Sequence, residues 1–350
     1  MIREVNPEAQ TMRERNLAHD SFPSALKRLF LSSATSLVAA GTHGKTTCSA
    51  LIAHTLNQAG LDPGFLVGGI PLNFNESFRV SGRAHYPFVV EGDEYDTAYF
   101  DKKPKFMHYK PNFLLITSIE FDHGDIYRDL DAVIDAFSEL LAARTSSDSV
   151  VVNHHDDNIK SALLRASTKA KVVTYGEGGD YDTINNDFDH RGISFTVRYK
   201  KSPLGSLNIP LFGRHNAANA LGSYALLHCF GLSHEAIHAG FSSFLGVKRR
   251  LEERSAREGI IKIDDFAHHP TAVRETIIAA KQKYPKNRLW VLFEPRSATS
   301  CTKVFENAYI DAFLGADRVT FAPVGRALAK EQMLDTDLIA LALTKKGIPA

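Results

Sequence analysis

The most informative segment of the sequence is Gly41-Thr42-His43-Gly44-Lys45-Thr46-Thr47, which lies between an apolar strand pattern at 37–40 and a helical pattern at 46–59. A glycine-rich turn between a strand and a helix can wrap backbone N–H groups around phosphate oxygens, and the helix N-terminus adds positive potential. In such a loop the Lys45 ammonium reaches the terminal phosphates of a nucleotide, and the Thr46 hydroxyl binds Mg²⁺. The segment therefore predicts a nucleotide phosphate site.

One position departs from the common phosphate-loop pattern GxxxxGK[ST], because Ala39 stands where its first glycine is expected. The alternative interpretation is a glycine-rich turn that carries a surface lysine. The flanking strand and helix favour the phosphate loop, since a loop of this kind needs both.

Beyond this segment, short apolar strands alternate with amphipathic helices. Further strand patterns lie at 88–90, 113–117, 150–152 and 172–175, and helical patterns at 130–141 and 216–230. This alternation predicts an α/β fold with a central, mostly parallel sheet of the phosphate-loop type, covered on both faces. After residue 180, strand patterns at 193–199 and 207–211 flank the turn residues Ser202-Pro203-Leu204-Gly205, which predicts a small antiparallel insert.

The chain divides into three predicted parts. Residues 1–35 lack a clear strand and form a connector, and residues 36–245 form a central ATP-binding domain. Residues 246–350 form a second, partial Rossmann-like α/β domain, and the basic cluster Lys248-Arg249-Arg250 lies at its boundary with the central domain. Its predicted elements are strands at 260–263 and 289–293 and a helix at 271–283.

The composition is that of an ordinary globular protein. The net charge is +1, so no global field favours nucleic acid or an anionic membrane as a partner. The three cysteines are far apart without metal-ligand spacing, which is typical of buried thiols in a reducing compartment. No apolar run reaches the ~18–20 residues of a membrane span, and the charged N-terminus does not resemble a signal peptide. We therefore expect a cytoplasmic protein that binds small molecules rather than nucleic acid or membranes.

The phosphate loop and six further segments resemble, in the same order, those of the Mur ligase family. The segments are GDEYDTAYFDKKPKF at 92–106, IEFDHGDIY at 119–127, GRHNAANAL at 213–221, GVKRRLE at 246–252, DDFAHHPTAV at 264–273 and FEPRSATS at 293–300. Matches in this number and order exclude a chance resemblance. The resemblance implies a bacterial cell-wall enzyme that uses ATP and Mg²⁺ to join a carboxylate to an amine.

Within the family, these segments are most similar to the branch that joins UDP-N-acetylmuramate to the recycled tripeptide L-alanyl-γ-D-glutamyl-meso-diaminopimelate. The alternative is the branch that adds L-alanine alone, which typically has serine in place of Tyr95, Tyr-Gly in place of Phe266-Ala267 and Pro-His-Arg in place of Pro295-Arg296-Ser297. The sequence also leaves open a folylpolyglutamate synthetase, which the segments at 92–106 and 264–273 disfavour, and a nucleotide-binding module without ligase activity.

The resemblance also implies roles for particular residues. The catalytic group is Lys45, Glu91, His123 and Arg250, and the Mg²⁺ ligands are Thr46, Glu91 and His123. ATP is bound by the phosphate loop (Gly41, Thr42, His43, Gly44, Lys45, Thr46 and Thr47) and by Asn216, Asn219, Arg250 and Asp265. The amine substrate is bound by Arg296 and Ser297. Glu91 and His123 both follow apolar strands, and ligands of a parallel sheet collect at the carboxyl ends of its strands.

Structural interpretations remain open for several of these positions. Without the resemblance, His123 is more simply a hydrogen-bonded loop histidine and Asn216 a helix N-cap. The cluster at 248–250 could be a solvated boundary, and His268-His269 a turn before Pro270. The carboxylates that either support the metal ligands or are solvated loop charges are Asp93, Glu94, Asp96, Asp122 and Asp125.

Two features depart from the family pattern. Several relatives carry a carbamylated lysine beyond the metal histidine, whereas residues 124–150 contain no lysine, as is common in the two muramate branches. Relatives also begin with a UDP-binding domain and end with a further strand and helix. We therefore expect residues 1–35 to be the tail of an N-terminal domain and the C-terminal domain to be truncated.

Overall fold

A computed structural model describes residues 4–326 and 328–350. The strands are β1 (Thr35–Ala40), β2 (Gly64–Leu66), β3 (Phe78–Arg79), β4 (Pro87–Gly92), β5 (Asp96–Ala98), β6 (Asp101–Pro104), β7 (Phe113–Ile116), β8 (Ser149–Asn153), β9 (Lys171–Tyr175), β10 (Tyr181–Asp189), β11 (Gly192–Tyr199), β12 (Ser202–Ile209), β13 (Glu252–Arg257), β14 (Ile260–Asp264), β15 (Trp290–Phe293) and β16 (Arg318–Phe321). The helices are α1 (Pro7–Glu14), α2 (Phe22–Leu26), α3 (Lys45–Gln58), α4 (Phe106–Tyr109), α5 (Leu130–Ala142), α6 (Asp157–Ala166), α7 (Arg214–Phe230), α8 (His234–Ser242), α9 (Pro270–Lys283), α10 (Glu306–Ala312) and α11 (Thr336–Lys345). A π-helical turn, Lys27–Leu31, follows α2, and a 3₁₀ turn, Lys303–Phe305, precedes α10.

Ten strands form one large sheet, in the order β12-β11-β10-β9-β8-β7-β1-β4-β2-β3. The strands from β9 to β2 in this order pair in parallel, which confirms the predicted α/β fold with a mostly parallel sheet. Strands β10, β11 and β12 form an antiparallel meander that continues the same sheet. The predicted antiparallel insert is thus an extension of the main sheet, with one strand more than expected.

The central strands are covered on both faces. In β1, Leu37 and Ala39 pack against α3 and α7, whereas Val38 and Ala40 pack on the opposite side with α5 and α6. Successive strand side chains point to opposite faces, so a strand that is apolar at every position needs a layer of helices on each side. This arrangement buries the sheet and places the loops that follow its strands at one edge.

The predicted turn at 202–205 is wrong. The chain reverses at Lys200 and Lys201, whose φ angles are 47° and 70°, and residues 202–205 lie inside β12. Two consecutive residues in the left-handed region give a hairpin turn whose twist matches that of the flanking strands. Pairing of residues 202–205 with β11 therefore determines their conformation, although the Ser-Pro-Leu-Gly sequence favours a turn.

The C-terminal part begins with the antiparallel hairpin of β13 and β14 and continues with the parallel pair of β15 and β16. Helices α9, α10 and α11 pack around β15 and β16 on an apolar cluster that includes Phe293, Tyr309 and Phe313. The predicted strands at 260–263 and 289–293 correspond to β14 and β15, and the predicted helix at 271–283 corresponds to α9.

Candidate active site at the phosphate loop

The phosphate loop connects β1 to α3 and is held from behind by residues 117–120. The N–H groups of Thr42 and His43 donate to the carbonyl and the hydroxyl of Ser118, at 2.8 and 3.2 Å. Those two amides therefore face the protein rather than a ligand. The first N–H groups of α3 have no intrahelical acceptor, so the donors suited to a phosphate begin at the start of this helix, next to Lys45.

Two positions in the loop require glycine. Gly41 and Gly44 have φ angles of +123° and +81°, a region that side chains with a Cβ atom rarely adopt. A Cβ at Gly41 would lie 2.3 Å from Thr117 Oγ1, and one at Gly44 would lie 2.4 Å from Asn219 Oδ1. The glycine spacing recognised in the sequence thus follows from backbone conformation and from close packing at the same time.

Lys45 is held by a carboxylate that the sequence did not single out. Its ammonium lies 2.9 Å from Glu94 Oε2, and the Glu94 side chain is only 2% exposed. Burial disfavours the charged form of Lys45, but Glu94 and Glu91 outweigh it, so the pKa of Lys45 is raised. Lys45 is therefore a fixed cation at the start of α3.

The predicted metal ligands Thr46 and Glu91 are in direct contact. Thr46 Oγ1 donates to Glu91 Oε1 at 2.9 Å, and Glu91 Oε2 accepts from the N–H of Gly68 at 2.7 Å. Arg250 reaches the same hydroxyl from the C-terminal side, with a guanidinium nitrogen 3.3 Å from Thr46 Oγ1. Residues from three distant parts of the sequence thus meet at one threonine.

Arg250 is placed there by backbone pairing across the boundary between the central and C-terminal parts. The N–H of Lys248 donates to Ile70 O, and the N–H of Leu72 donates to Gly246 O, each at 3.0 Å. The Arg250 guanidinium also lies over the Phe266 ring, 5.6 Å from its centroid. Arg250 is therefore part of the site rather than a solvated boundary residue.

His123 joins the site through Glu94. Its Nε2 atom lies 3.2 Å from Glu94 Oε1, and its ring meets the Tyr95 ring edge-on at a centroid distance of 4.3 Å. Burial disfavours the imidazolium, but Glu94 and then Asp122 outweigh that effect and raise the pKa of His123. His123 also has a φ angle of 56°, which is uncommon outside glycine and is typical of constrained functional loops.

These side chains suit an Mg²⁺ ion at Thr46 and Glu91. A hydroxyl and a carboxylate are hard oxygen donors, which Mg²⁺ prefers, and they are already adjacent in the structure. His123 contacts a second carboxylate, Glu94, instead of either oxygen donor. The structure thus brings together two of the three predicted ligands and links the third to Lys45 through Glu94.

The residues predicted on the nucleoside side are engaged in the protein's own hydrogen bonds. Asn219 Nδ2 donates to Asn216 Oδ1 at 3.3 Å, and Asn216 Nδ2 donates to Phe212 O at 2.8 Å. Helix α7 starts at Arg214 with Gly213 as its N-cap, so the alternative interpretation of Asn216 as an N-cap is wrong.

Asp265 shapes the loop between β14 and α9. Its two oxygens accept from the N–H groups of Leu251 and Ala267, each at 2.7 Å. This double contact connects the chain after Arg250 to the segment before α9. In the structure, Asp265 therefore braces the loop that carries Arg250.

The predicted amine-binding residues adjoin the His123 loop without entering the phosphate site. The N–H of Gly124 donates to Thr299 Oγ1 at 3.1 Å, which joins the loop after β15 to the loop after β7. The Arg296 side chain is 78% exposed and 3.8 Å from Glu294, and Ser297 Oγ donates to Ser300 Oγ at 2.8 Å. Arg296 is thus available to a ligand at the edge of the site.

A second cluster lies directly beside the phosphate loop. His43 Nε2 is 3.6 Å and His269 Nδ1 is 3.8 Å from the same oxygen, Glu120 Oε2. Burial lowers the pKa of His269 to about 4. Burial raises the pKa of Glu120, but His43 and Thr271 outweigh it and bring that pKa to about 2. At neutral pH the cluster therefore contains a carboxylate and a neutral imidazole.

The sequence left the role of Glu94 open and did not identify Gly68 and Gly69 as site residues. Glu94 was one of five loop carboxylates with no pattern to set it apart. Gly68 and Gly69 had a recognisable signal, a glycine pair after β2, and a Cβ at Gly69 would lie 2.8 Å from Thr46 Cγ2. A glycine pair at the carboxyl end of a parallel strand could therefore have been predicted to border the site.

The fold and this site define a class, namely α/β proteins whose phosphate loop meets carboxylates at the edge of a parallel sheet. Family comparison gives the finer assignment. Residues 39–227 match the Mur ligase middle domain, and residues 249–337 match the Mur ligase, glutamate ligase domain. The chain therefore belongs to the Mur ligase family, whose members are ATP-dependent ligases of peptidoglycan synthesis.

Individual relatives include members of two branches. The chain is 33% identical to a UDP-N-acetylmuramate–L-alanine ligase of Desulfitobacterium hafniense, over 99% of this chain and 75% of that one. It is 35% identical to a UDP-N-acetylmuramate–L-alanyl-γ-D-glutamyl-meso-2,6-diaminoheptandioate ligase of Haemophilus influenzae, over 90% of this chain and 68% of that one. The solved structure of a murein peptide ligase from Psychrobacter arcticus superposes with a TM-score of 0.74 at 28% identity, over 98% of this chain and 73% of that one.

Hydropathy adds one finding on membranes. In the part of the chain that the structure describes, the helices are all too short or too polar to cross a bilayer.

Proposed function

We propose that the chain joins UDP-N-acetylmuramate to the tripeptide L-alanyl-γ-D-glutamyl-meso-diaminopimelate at the expense of ATP, a reaction of peptidoglycan recycling. The observation that carries this proposal is the convergence of Lys45, Thr46, Glu91 and Arg250 at one edge of the sheet. The contact of Gly124 with Thr299 supports it further, since it places the Arg296 loop beside that edge.

The reaction has two steps with a balanced exchange of groups. A carboxylate oxygen of the muramate attacks the γ-phosphorus of ATP, the bond from that phosphorus to the β-γ bridging oxygen breaks, ADP leaves, and an acyl phosphate forms. The amine nitrogen then attacks the acyl carbon, phosphate leaves, and the nitrogen loses a proton. Phosphoryl transfer of this kind depends mainly on positioning and on neutralisation of charge.

The chain supplies that charge from two directions. Lys45 points from the start of α3, and Arg250 approaches Thr46 from the C-terminal part, so a phosphate between them would contact both cations. Thr46, Glu91 and His123 would hold Mg²⁺, which neutralises charge on the phosphates and orients them. Arg250 would complete the site only while the C-terminal part is docked, because its position depends on the pairing at 70–72 and 246–248.

Two side chains bear on the choice of amine. The planar guanidinium of Arg296 can bind a carboxylate through two hydrogen bonds, and a tripeptide that ends in diaminopimelate offers such groups. Tyr95 donates to Asp125 at 3.0 Å and packs on His123. The L-alanine branch typically has serine in place of Tyr95. Both favour the larger, carboxylate-bearing amine.

Addition of L-alanine alone is the second candidate. It is favoured by the match to the Desulfitobacterium hafniense relative, which extends over more of both chains than the match to the tripeptide ligase. A difference of 35% against 33% identity does not separate the two branches.

A product assay tests the proposal. The chain is incubated with ATP, Mg²⁺, UDP-N-acetylmuramate and either the tripeptide or L-alanine, and products are identified by mass and by phosphate release. The tripeptide conjugate should form at a higher kcat/KM than the L-alanine conjugate. Preference for L-alanine would overturn the substrate assignment, and ATP binding without phosphate release in either mixture would overturn the ligase assignment.

A further inference from the structure

We propose that His43, Glu120 and His269 form a binding site for a divalent transition ion of the Zn²⁺ class, which would hold the phosphate loop to the start of α9. This site is separate from the Mg²⁺ ligands discussed above and does not depend on the choice of amine. One ligand atom from each of the three residues lies within 4.8 Å of the others.

The distances within the cluster are longer than hydrogen bonds and slightly longer than those between ligands of a shared ion. His43 Nε2 and His269 Nδ1 lie 3.6 and 3.8 Å from Glu120 Oε2, beyond the usual range of an N–H···O hydrogen bond. Ligands about 2.0–2.1 Å from a tetrahedral Zn²⁺ are about 3.3 Å apart, so a small inward movement would bring the three side chains to ligand distance and leave the fourth position to water.

His43 provides an independent observation. Its Nε2 atom is buried and has no hydrogen-bond partner in the part of the chain that the structure describes. A buried polar atom without a partner is costly, and nearly all such atoms in folded proteins are satisfied. A metal ion between this nitrogen and Glu120 would satisfy it.

The other two ligands are held as metal ligands usually are. His269 Nε2 lies 3.2 Å from Phe121 O, which fixes the proton on that nitrogen and leaves the lone pair on Nδ1. Thr271 Oγ1 donates to Glu120 Oε2 at 2.7 Å and orients the carboxylate. The N–H of Thr271 also points at His269 Nδ1, but at 3.3 Å this contact is long, and a metal ion would replace it.

The donor types select the ion. Two imidazoles and one carboxylate suit Zn²⁺ and its neighbours in the first transition row, whereas Mg²⁺ and Ca²⁺ prefer oxygen ligands throughout. His43 belongs to the phosphate loop, Glu120 to the loop after β7, and His269 is the N-cap of α9. An ion bound by all three would therefore tie the C-terminal part to the nucleotide site.

The test uses Co²⁺ as a spectroscopic substitute for Zn²⁺, added to the metal-free chain without nucleotide or Mg²⁺. We expect a visible absorption band of tetrahedral Co²⁺ that saturates at one equivalent and disappears on addition of Zn²⁺. His43→Gln and Glu120→Gln should each weaken Co²⁺ binding by at least about tenfold. Two substitutions are used because either alone could disturb folding, which circular dichroism of each variant will check.

Two control variants test whether Co²⁺ binds at other histidines instead. His123→Ala removes the histidine near the Mg²⁺ ligands, and His238→Ala removes one member of the stacked pair with His234 on α8. Both should keep the Co²⁺ band. Absence of a band in the parent, a band unchanged in folded Glu120→Gln and His43→Gln, or a band lost in His123→Ala or His238→Ala would overturn the proposal.

Discussion

Replacement of Glu94 by glutamine tests whether the buried carboxylate is the group that fixes Lys45. The Lys45–Glu94 pair is 2.9 Å long, and the two side chains are 13% and 2% exposed. Loss of one partner from a buried ion pair lowers the free energy of unfolding by about 3–5 kcal/mol, but glutamine keeps a carbonyl acceptor for the Lys45 ammonium. The expected loss is therefore that of one charged hydrogen bond, about 1.5–3 kcal/mol of unfolding free energy.

The matched control lies in the same loop. Asp96 pairs with Lys102 at 3.0 Å, but the lysine is 68% exposed. An ion pair with a solvated partner contributes little, so Asp96→Asn should lower the free energy of unfolding by less than about 1 kcal/mol. Urea denaturation of the two variants and the parent, followed by circular dichroism, gives the comparison.

The effect of Glu94→Gln should also depend on pH, because Glu94 raises the pKa of His123. A raised folded pKa stabilises the protein below the unfolded value of 6.5, and that stabilisation is lost as pH rises through the folded pKa. The difference between parent and Glu94→Gln should therefore be larger at about pH 6 than at about pH 9. Equal losses for Glu94→Gln and Asp96→Asn, or a difference that grows with pH, would refute the reasoning.

Four further substitutions test the site. Lys45→Ala should lower ATP turnover by about 10²–10³-fold, because the cation faces the charge that develops on the transferred phosphoryl group, and a rate within a few-fold of the parent would contradict its role. Glu91→Gln should raise the Mg²⁺ concentration for half-maximal ATP binding by about tenfold, and an unchanged Mg²⁺ titration would remove Glu91 from the metal ligands. Gly69→Ala should lower the free energy of unfolding, measured by urea denaturation, by about 1–3 kcal/mol, because the new Cβ would lie 2.8 Å from two packed side chains. Gly82→Ala is its control and should leave that free energy nearly unchanged, because the nearest atom to its new Cβ lies at 3.6 Å. Arg296→Ala should raise the KM for tripeptide about 10- to 150-fold in steady-state kinetics and leave that for ATP unchanged, and an unchanged tripeptide KM would show that Arg296 stays solvated.

The sequence was sufficient for the parts of the fold in which one pattern dominates. The strand at 37–40 is apolar at every position, and the helix at 46–59 keeps a buried face, so both appear in the structure with nearly the predicted bounds. Strand β10 was missed because its sequence, Tyr181–Asp189, is polar and only partly buried near the edge of the sheet. An alternating apolar pattern requires a covered face, and most of β10 lacks one.

Within the site, sequence order could not show which of several neighbouring carboxylates is buried. Asp93 and Glu94 are adjacent, yet Asp93 pairs with Lys105 at 2.5 Å while Glu94 turns inward to Lys45. The choice depends on β4, whose last residues set the direction in which each side chain leaves the sheet edge. The resemblance placed Arg250 and Thr46 at one nucleotide site, but their direct contact could not be predicted, because it depends on pairing across more than half of the chain.

The charges around Glu94 would let the proposed site hold Lys45 firmly and still release it to a phosphate. Glu94 contacts two side chains that can carry a positive charge, Lys45 at 2.9 Å and His123 at 3.2 Å. If Lys45 turns from Glu94 to a phosphate, the carboxylate keeps His123 and does not become an unpaired buried charge, which would be costly. The raised pKa of His123 favours its charged form, which compensates the carboxylate better than the dipole of a neutral imidazole does. Metal binding by His123 must displace that proton, so the exchange at Glu94 applies to nucleotide binding before His123 becomes an Mg²⁺ ligand.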